Sequence, residues 1–440
     1  MRQILLTLAM SVVVLGPSYG ADTSKPNVLV ILSDDVGYGE FGFQDNPQIP
    51  TPHIDSIARH GVRFTNGYNA ATYCSPSRAG LLTGRYPTRF GHEFNGGGGT
   101  GLAGRVPFGL PVTETTLATR LKALGYATCA VGKWHLGGAA QFVATKRGFD
   151  EFYGTVANTP FFNPPNFIDT RVSTKVSPIK DPNFYTTDAY AERAADWIGK
   201  QKRPWFLYLP FNAQHAPLQA TKKYLDRFPK ITDEKRRIFA AMMSAMDDAV
   251  GKVLAKVRER GQEDNTLIFF LSDNGGPTRQ TTSSNGPLRG FKATTSEGGT
   301  RIPFCVQWKG KLPAGKVYDY PVLNLDILPT AVIAAGGTID PAWKLDGVDL
   351  VPYLTDKNKA RPHETLYWRF GEQWAIRKGD WNLVASRIDD NQPRLINLAE
   401  DIGEAHDLTK QHPEKMKELL AAWKAWNAQQ HEPLWKPKTK

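Results

Sequence analysis

Four stretches of the chain are almost wholly apolar and about as long as a strand: residues 27–32 (NVLVIL), 127–131 (ATCAV), 205–209 (WFLYL) and 266–271 (TLIFFL). Runs without polar alternation suit strands covered on both faces, the usual condition of a parallel sheet. Between them, residues 115–124, 187–200 and 233–260 carry apolar positions at helical spacing, and Gly125 follows the first of these as a C′ glycine. Strand and helix signals in alternation predict an α/β fold, an α/β/α sandwich around a large mixed, mostly parallel sheet. After about residue 352 the pattern changes. Residues 365–368, 373–377, 381–385 and 395–398 are short and half-polar, joined by tight turns such as Lys378-Gly379-Asp380, and 413–429 reads as a closing helix. This predicts a smaller antiparallel sheet with one helix, and hence two units, 21–352 and 353–440. Residues 96–109, which begin with four glycines, and 158–181 read as long loops, and long loops in a compact domain are often functional.

The first 20 residues read as a secretory signal. Arg2 is the basic head, 4–15 an apolar run short for a bilayer, and Ser18-Tyr19-Gly20 the small-residue cleavage site before Ala21. No second apolar stretch of spanning length follows, so the expectation is an exported protein, periplasmic or secreted, without stable membrane insertion. The net charge of +11 favours acidic partners such as sulfated glycans, anionic surfaces or nucleic acid. Nucleic acid is disfavoured, because the lysines and arginines are scattered and no nucleic-acid motif is present. Of three cysteines, Cys129 and Cys305 lie in apolar runs and are expected to be buried free thiols, with a disulfide between them the lesser alternative.

The third cysteine opens Cys74-Ser75-Pro76-Ser77-Arg78. Residues 77–83 read as a helix, with Pro76 in its first turn, where a missing N–H costs nothing. Cys74 then sits near unpaired backbone N–H groups and the positive end of the helix dipole. Arg78 adds a planar fork suited to a tetrahedral oxyanion. Other chemistry falls just beyond predicted strands, where open α/β sheets build their sites. Ser33-Asp34-Asp35 follows the first strand and Ser272-Asp273-Asn274-Gly275 the fourth. Three carboxylates and an amide form an all-oxygen set that specifies a hard divalent cation. Gly132-Lys133-Trp134-His135 and Gln214-His215-Ala216-Pro217 follow the other two strands. Lys133 and His135, two apart on an extended loop, would point to one side. Gly290-Phe291-Lys292 and Glu297-Gly298-Gly299 complete the set.

Cys-x-Pro-x-Arg followed by Thr83-Gly84-Arg85 resembles the signature of the type I sulfatases, members of the alkaline phosphatase-like superfamily, and the resemblance covers nearly the whole chain after the signal. It implies that a maturation enzyme oxidises Cys74 to formylglycine, whose hydrate attacks sulfur. It implies calcium, with magnesium the lesser alternative, on Asp34, Asp35, Asp273, Asn274 and the modified Cys74. It further implies that Lys133 and Lys292 bind sulfate, that His135 orients the hydrate and assists elimination, that His215 contacts sulfate, and that His215 or Lys292 protonates the leaving alcohol. Glu297 would orient Lys292 or a metal ligand.

Export, basic charge and aromatic content fit a sulfated carbohydrate, a polysaccharide or glycosaminoglycan fragment such as a carrageenan-type galactan. His92, Glu93, Asn95, Phe161, Phe162, Asn163, Arg279 and Trp374 are candidate pocket walls. Two other readings stand beside this one: a phosphoester or phosphonate hydrolase on the same scaffold, and a non-catalytic sulfoglycan-binding protein. Asn274, where a dinuclear zinc enzyme would need a charged or imidazole ligand, favours one hard cation over the first.

Overall fold

The computed structural model describes residues 25–96 and 106–435. The expected signal at 1–20 and most of the glycine-rich loop lie outside the described residues.

All four apolar runs form fully buried strands: β1 (Asn27–Ser33), β4 (Ala127–Lys133), β7 (Trp205–Pro210) and β8 (Thr266–Ser272). They lie side by side and parallel at the centre of a nine-stranded sheet, in the order β8-β1-β7-β4. Shorter strands extend it. β5 (Glu151–Thr155) continues the parallel set beyond β4 and is closed by antiparallel β6 (Phe167–Asp169). On the other flank β9 (Phe304–Gln307) runs antiparallel to β8, then come β2 (Val62–Phe64) and β10 (Lys316–Tyr318). A separate pair, β3 (Gly67–Tyr68) and β11 (Val322–Leu323), lies nearby.

Alternation along β1 separates two cores. Leu29 and Ile31 enter one apolar cluster, while Val28, Val30 and Leu32 enter the other. The first is covered by helices α1 (Pro52–Arg59), α4 (Thr186–Lys200) and α5 (Glu234–Glu259), the second by α2 (Cys74–Thr83), α3 (Leu117–Ala123) and α6 (Ile327–Ala334). The boundaries follow local chemistry. The Asp233 carboxylate accepts the Arg236 N–H at 2.7 Å and starts α5, and the Thr116 hydroxyl accepts the Thr119 N–H at 3.2 Å and starts α3.

The C-terminal segment forms the expected second sheet, with antiparallel order β12 (Thr365–Phe370), β13 (Gln373–Lys378), β14 (Trp381–Ala385) and β15 (Pro393–Asn397). Helix α7 (Pro413–Asn427) packs Leu419 on Ile376, Leu383 and Leu395. The other face meets the main body through Leu366 and Trp368, which share a cluster with Tyr68, Leu323 and Leu325. The Trp368 indole N–H donates to the Asn69 carbonyl at 2.7 Å. Cys129 and Cys305 are buried free thiols, as expected. Among the described residues no helix is long and apolar enough to cross a membrane.

Candidate active site

β1 and β8 pair in step from Asn27 opposite Thr266 to Ser33 opposite Ser272. The next residue on each strand is an aspartate, so parallel register alone sets Asp34 beside Asp273. Asp35 then turns the chain in a left-handed conformation (φ 64°), which short polar residues tolerate better than most. Its N–H donates to Asp273 Oδ1 at 3.2 Å, and the Asn274 amide donates to Asp35 Oδ1 at 2.8 Å. β4 delivers Lys133 to the same edge, where its ammonium donates to Asp34 Oδ2. Gly132, just before it, has φ 135°, and a Cβ there would meet the Pro210 carbonyl oxygen at 1.9 Å. Only glycine lets β4 pass β7 this closely and still end in Lys133.

Helix α2 begins at Cys74, with Pro76 in its first turn, and ends at Gly84 (φ 68°), whose N–H bonds the Gly80 carbonyl at 2.8 Å. Every residue of this helix is buried. The Asn95 side-chain oxygen accepts the Ser75 N–H at 2.9 Å, satisfying one free donor of its first turn. The Ser75 hydroxyl lies 2.7 Å from His92 Nε2 and donates to the His135 carbonyl at 2.7 Å. Cys74 Sγ is thereby held 3.6 Å from Asp34 Oδ1 and 3.9 Å from Asp35 Oδ1. One turn on, the Arg78 fork donates to Asp273 Oδ2 at 2.8 and 3.1 Å and to the Lys133 carbonyl at 2.6 Å. It also lies 3.3 Å from Asp34. Lys292 Nζ donates to Asp35 Oδ1 at 2.5 Å, and His215 Nε2 stands 3.6 Å from Asp35 Oδ2.

Three carboxylates thus face three permanent or near-permanent cations in a water-excluded space. Burial opposes ionisation of Asp34, but Lys133, Arg78, His215 and Lys292 outweigh it and hold that carboxyl well below the usual range. Burial, then the charge of Asp34, pushes Asp273 up to about 7 against the pull of Arg78. Burial also raises the Cys74 thiol far above its ordinary value, so the unmodified side chain is a protonated thiol and a poor nucleophile. His215 is pulled down to about 4 by burial first, despite Asp35 beside it. Burial opposes the charge on Lys292, yet Asp35 raises it well above the ordinary lysine value.

Donor atoms from Asp34, Asp35, Cys74 and Asp273 all lie within 4.8 Å of one another. Two further oxygens, Asp35 Oδ2 and Asn274 Oδ1, are buried without a hydrogen-bond partner. Orphaned oxygens beside clustered carboxylates fit a hard divalent cation. The Cys74 sulfur alone is soft, and an oxygen in its place would make the set uniform.

Several expectations need correction. His135 is not on an extended loop: its φ is 55°, and its N–H donates to the Val156 carbonyl at 3.1 Å. Its ring is buried and its Nδ1 lacks a partner. Glu297 does not touch Lys292; it accepts from the Tyr68 hydroxyl at 2.7 Å and from Arg301 at 3.2 Å. Trp374 stacks on Trp423 of α7 with centroids 4.6 Å apart, and Phe161 is core. Glu93 is spent on Arg369 and the Gly371 N–H. Arg279 does line the cavity beside Lys292, joined by Tyr73, Phe291 and Arg387, which are not among the wall residues expected from sequence. Arg387 comes from the second sheet, and no local pattern announces how that sheet docks.

Residues 26–337 match the family model described as Sulfatase. The chain is 32% identical to human N-acetylgalactosamine-6-sulfatase over 87% of its length and 81% of that protein. It is 30% identical to the uncharacterized sulfatase YdeN of Escherichia coli strain K12, over 92% of this chain and 85% of that one. Among solved structures, Ps i-CgsB in complex with k-i-k-neocarrahexaose superposes with a TM-score of 0.85 at 32% identity, covering 94% of this chain and 95% of that one.

Proposed function

The chain belongs to the sulfatase family, and from that premise we propose that this sulfatase removes sulfate from a sulfated carbohydrate, using formylglycine made from Cys74 and one calcium ion. Galactan or glycosaminoglycan fragments are the proposed substrates, in keeping with the carrageenan oligosaccharide on one structural neighbour and the amino-sugar sulfatase among the relatives. The observation that carries the reading is the meeting of Cys74, three aspartates, Arg78, Lys133 and Lys292 at one strand edge.

Asp34, Asp35, Asp273 and Asn274 would hold the cation, with an oxygen of the modified Cys74. When bound, the cation supplies Lewis-acid polarisation, and the formylglycine hydrate supplies the oxygen that attacks sulfur. Because the three carboxylates are already balanced by three cations, a divalent ion leaves the site positive, which suits a sulfate ester. Arg78, Lys133 and Lys292 then face the sulfate oxygens and stabilise charge that grows in the transition state. The His215 Nδ1–H is bound to the Ala216 carbonyl at 2.6 Å, which leaves Nε2 an acceptor in the neutral ring. At neutral pH Lys292, and not His215, therefore carries a proton to give the departing alcohol, a poor leaving group unaided. We assign to His135, as the family resemblance implies, the proton taken up when sulfate is released.

Read as a secretory signal, residues 1–20 would direct the enzyme out of the cytoplasm. The maturation enzyme must act before the chain folds, since Cys74 is wholly buried. The test is sulfate release from a panel of sulfated galactan and glycosaminoglycan fragments by protein produced with a maturation enzyme. Release that falls at least about 100-fold on chelation and returns with calcium is expected. Cleavage of phosphonate esters with no sulfate release from any glycan would move the assignment to the phosphoester reading.

A further inference from the structure

Outward from Lys292 opens a cavity of about 610 Å³, lined in part by Tyr73, His215, Arg279, Phe291 and Arg387. Among the described residues no aspartate or glutamate lines it. Arg279 lies on a short helix, Thr278–Thr281, soon after the β8 carboxylates, and Arg387 on a turn that follows β14 in the second sheet. The two arrive from different units yet address one ring: their guanidinium carbons lie 6.0 and 5.4 Å from the Phe291 centroid. Phe291 is the residue before Lys292, so this cationic pair is tied to the reaction centre by a single peptide unit.

The carboxylate close to Arg387 in the chain is already engaged. Asp389, two residues from Arg387, takes Arg289 at 2.6 and 2.7 Å and approaches Arg394 at 3.9 Å. Arg279 and Arg387 have no ion pair among the described residues, and the one side-chain bond of Arg387 is a long 3.5 Å contact to the Lys292 carbonyl. A guanidinium held within about 6 Å of an aromatic ring by cation–π attraction keeps N–H groups free to donate. Two such groups on one cavity, with no internal anion, make a receptor for an external one.

Resting on the carbohydrate reading above, we propose that Arg279 and Arg387 form a second anion subsite, which binds a sulfate ester on a sugar unit adjoining the one that is desulfated. A tetrahedral sulfate offers three terminal oxygens to donors arriving from two sides, whereas a carboxylate offers two in one plane. The enzyme would therefore select multiply sulfated oligosaccharides.

The test uses matured, calcium-loaded protein and three oligosaccharides of equal length: one with the target sulfate only, one with a second sulfate on the adjoining unit, and one with a uronate there. Wild-type kcat/KM is expected to be at least about 10-fold higher on the doubly sulfated compound, and Arg387→Ala and Arg279→Ala to lose about 10-fold each on it alone. Arg387→Lys should recover only part, because an ammonium lacks the fork. Equal losses on all three substrates, or no wild-type preference, would overturn the subsite, and equal preference for the uronate would overturn its assignment to sulfate. Calorimetry of the doubly sulfated oligosaccharide on Cys74→Ala protein separates the two claims. Binding that Arg387→Ala weakens, with no sulfate release by the matured enzyme, would keep the subsite and refute the carbohydrate sulfatase reading. Binding that Arg387→Ala leaves unchanged would refute the subsite.

Discussion

The carboxyl edge of the large sheet and the small C-terminal sheet are built from opposite materials. At the sheet edge, Asp34, Asp35 and Asp273 lie against Arg78, Lys133 and Lys292 with almost no exposure. In the C-terminal unit the tight contacts are aromatic: Tyr367 on Trp426 at 4.9 Å and 3°, and Trp374 on Trp423 at 4.6 Å. Aromatic burial stabilises directly, whereas buried ion pairs seldom repay the desolvation of their charges. The sheet edge is thus a region kept for what it does, supported by the apolar strands beneath it. The small sheet holds the body together and lends the cavity Arg387.

The largest expected effect falls on the reacting residue. Cys74→Ala should lower sulfate release at least about 1,000-fold while leaving the circular dichroism spectrum and unfolding midpoint nearly unchanged, since one small buried side chain replaces another. Next, Arg78→Met should abolish activity and also destabilise the metal-free protein by about 3–5 kcal/mol in denaturant titration, because Asp34 and Asp273 are left buried with less compensation. In the other region, Trp426→Ala should cost about 3 kcal/mol through a cavity between Tyr86 and Tyr367, with sulfate release per folded molecule within about twofold of wild type. A large activity loss there, without unfolding, would erase the division between the two regions.

The smallest effect concerns their junction. Glu404 accepts the Glu297 N–H at 2.9 Å, and burial, then the charge of Glu297, pushes its carboxyl up to about 8. A folded value above the unfolded one means that stability is complete while the group is protonated in both states and is lost as pH rises from the ordinary carboxylate range through about 8. Glu404→Gln should match wild type below about pH 4 and become steadily more stable than it, by about a few kcal/mol, as pH rises toward 8, read from unfolding curves at each pH. A wild type whose stability does not fall over that window would show that Glu404 ionises without cost.

The sequence made the central strands legible because each is apolar on both faces, and the parallel register of β1 and β8 then set Asp34 against Asp273 without further information. The flanking strands β2, β6, β9 and β10 escaped notice because they are three or four residues long, too short for any periodicity. Lys133, His135, His215 and Lys292 could be named from local motifs, but their partners could not. That Lys133 rests on Asp34, and Lys292 on Asp35, depends on how separate strand ends and the loop carrying Lys292 converge. Trp374 was misjudged for the reverse reason: alternation in β13 faces it to α7, away from the cavity. Arg387 carried no signal, since its place is set by docking between the two units.

The most direct test pairs the mass of the Cys74 peptide with sulfate release by the same sample, comparing protein made with and without a maturation enzyme. The account predicts a mass loss matching thiol to aldehyde in the first preparation together with sulfate release, and an intact thiol with no turnover in the second. Sulfate release by a homogeneous Cys74 thiol form would contradict it.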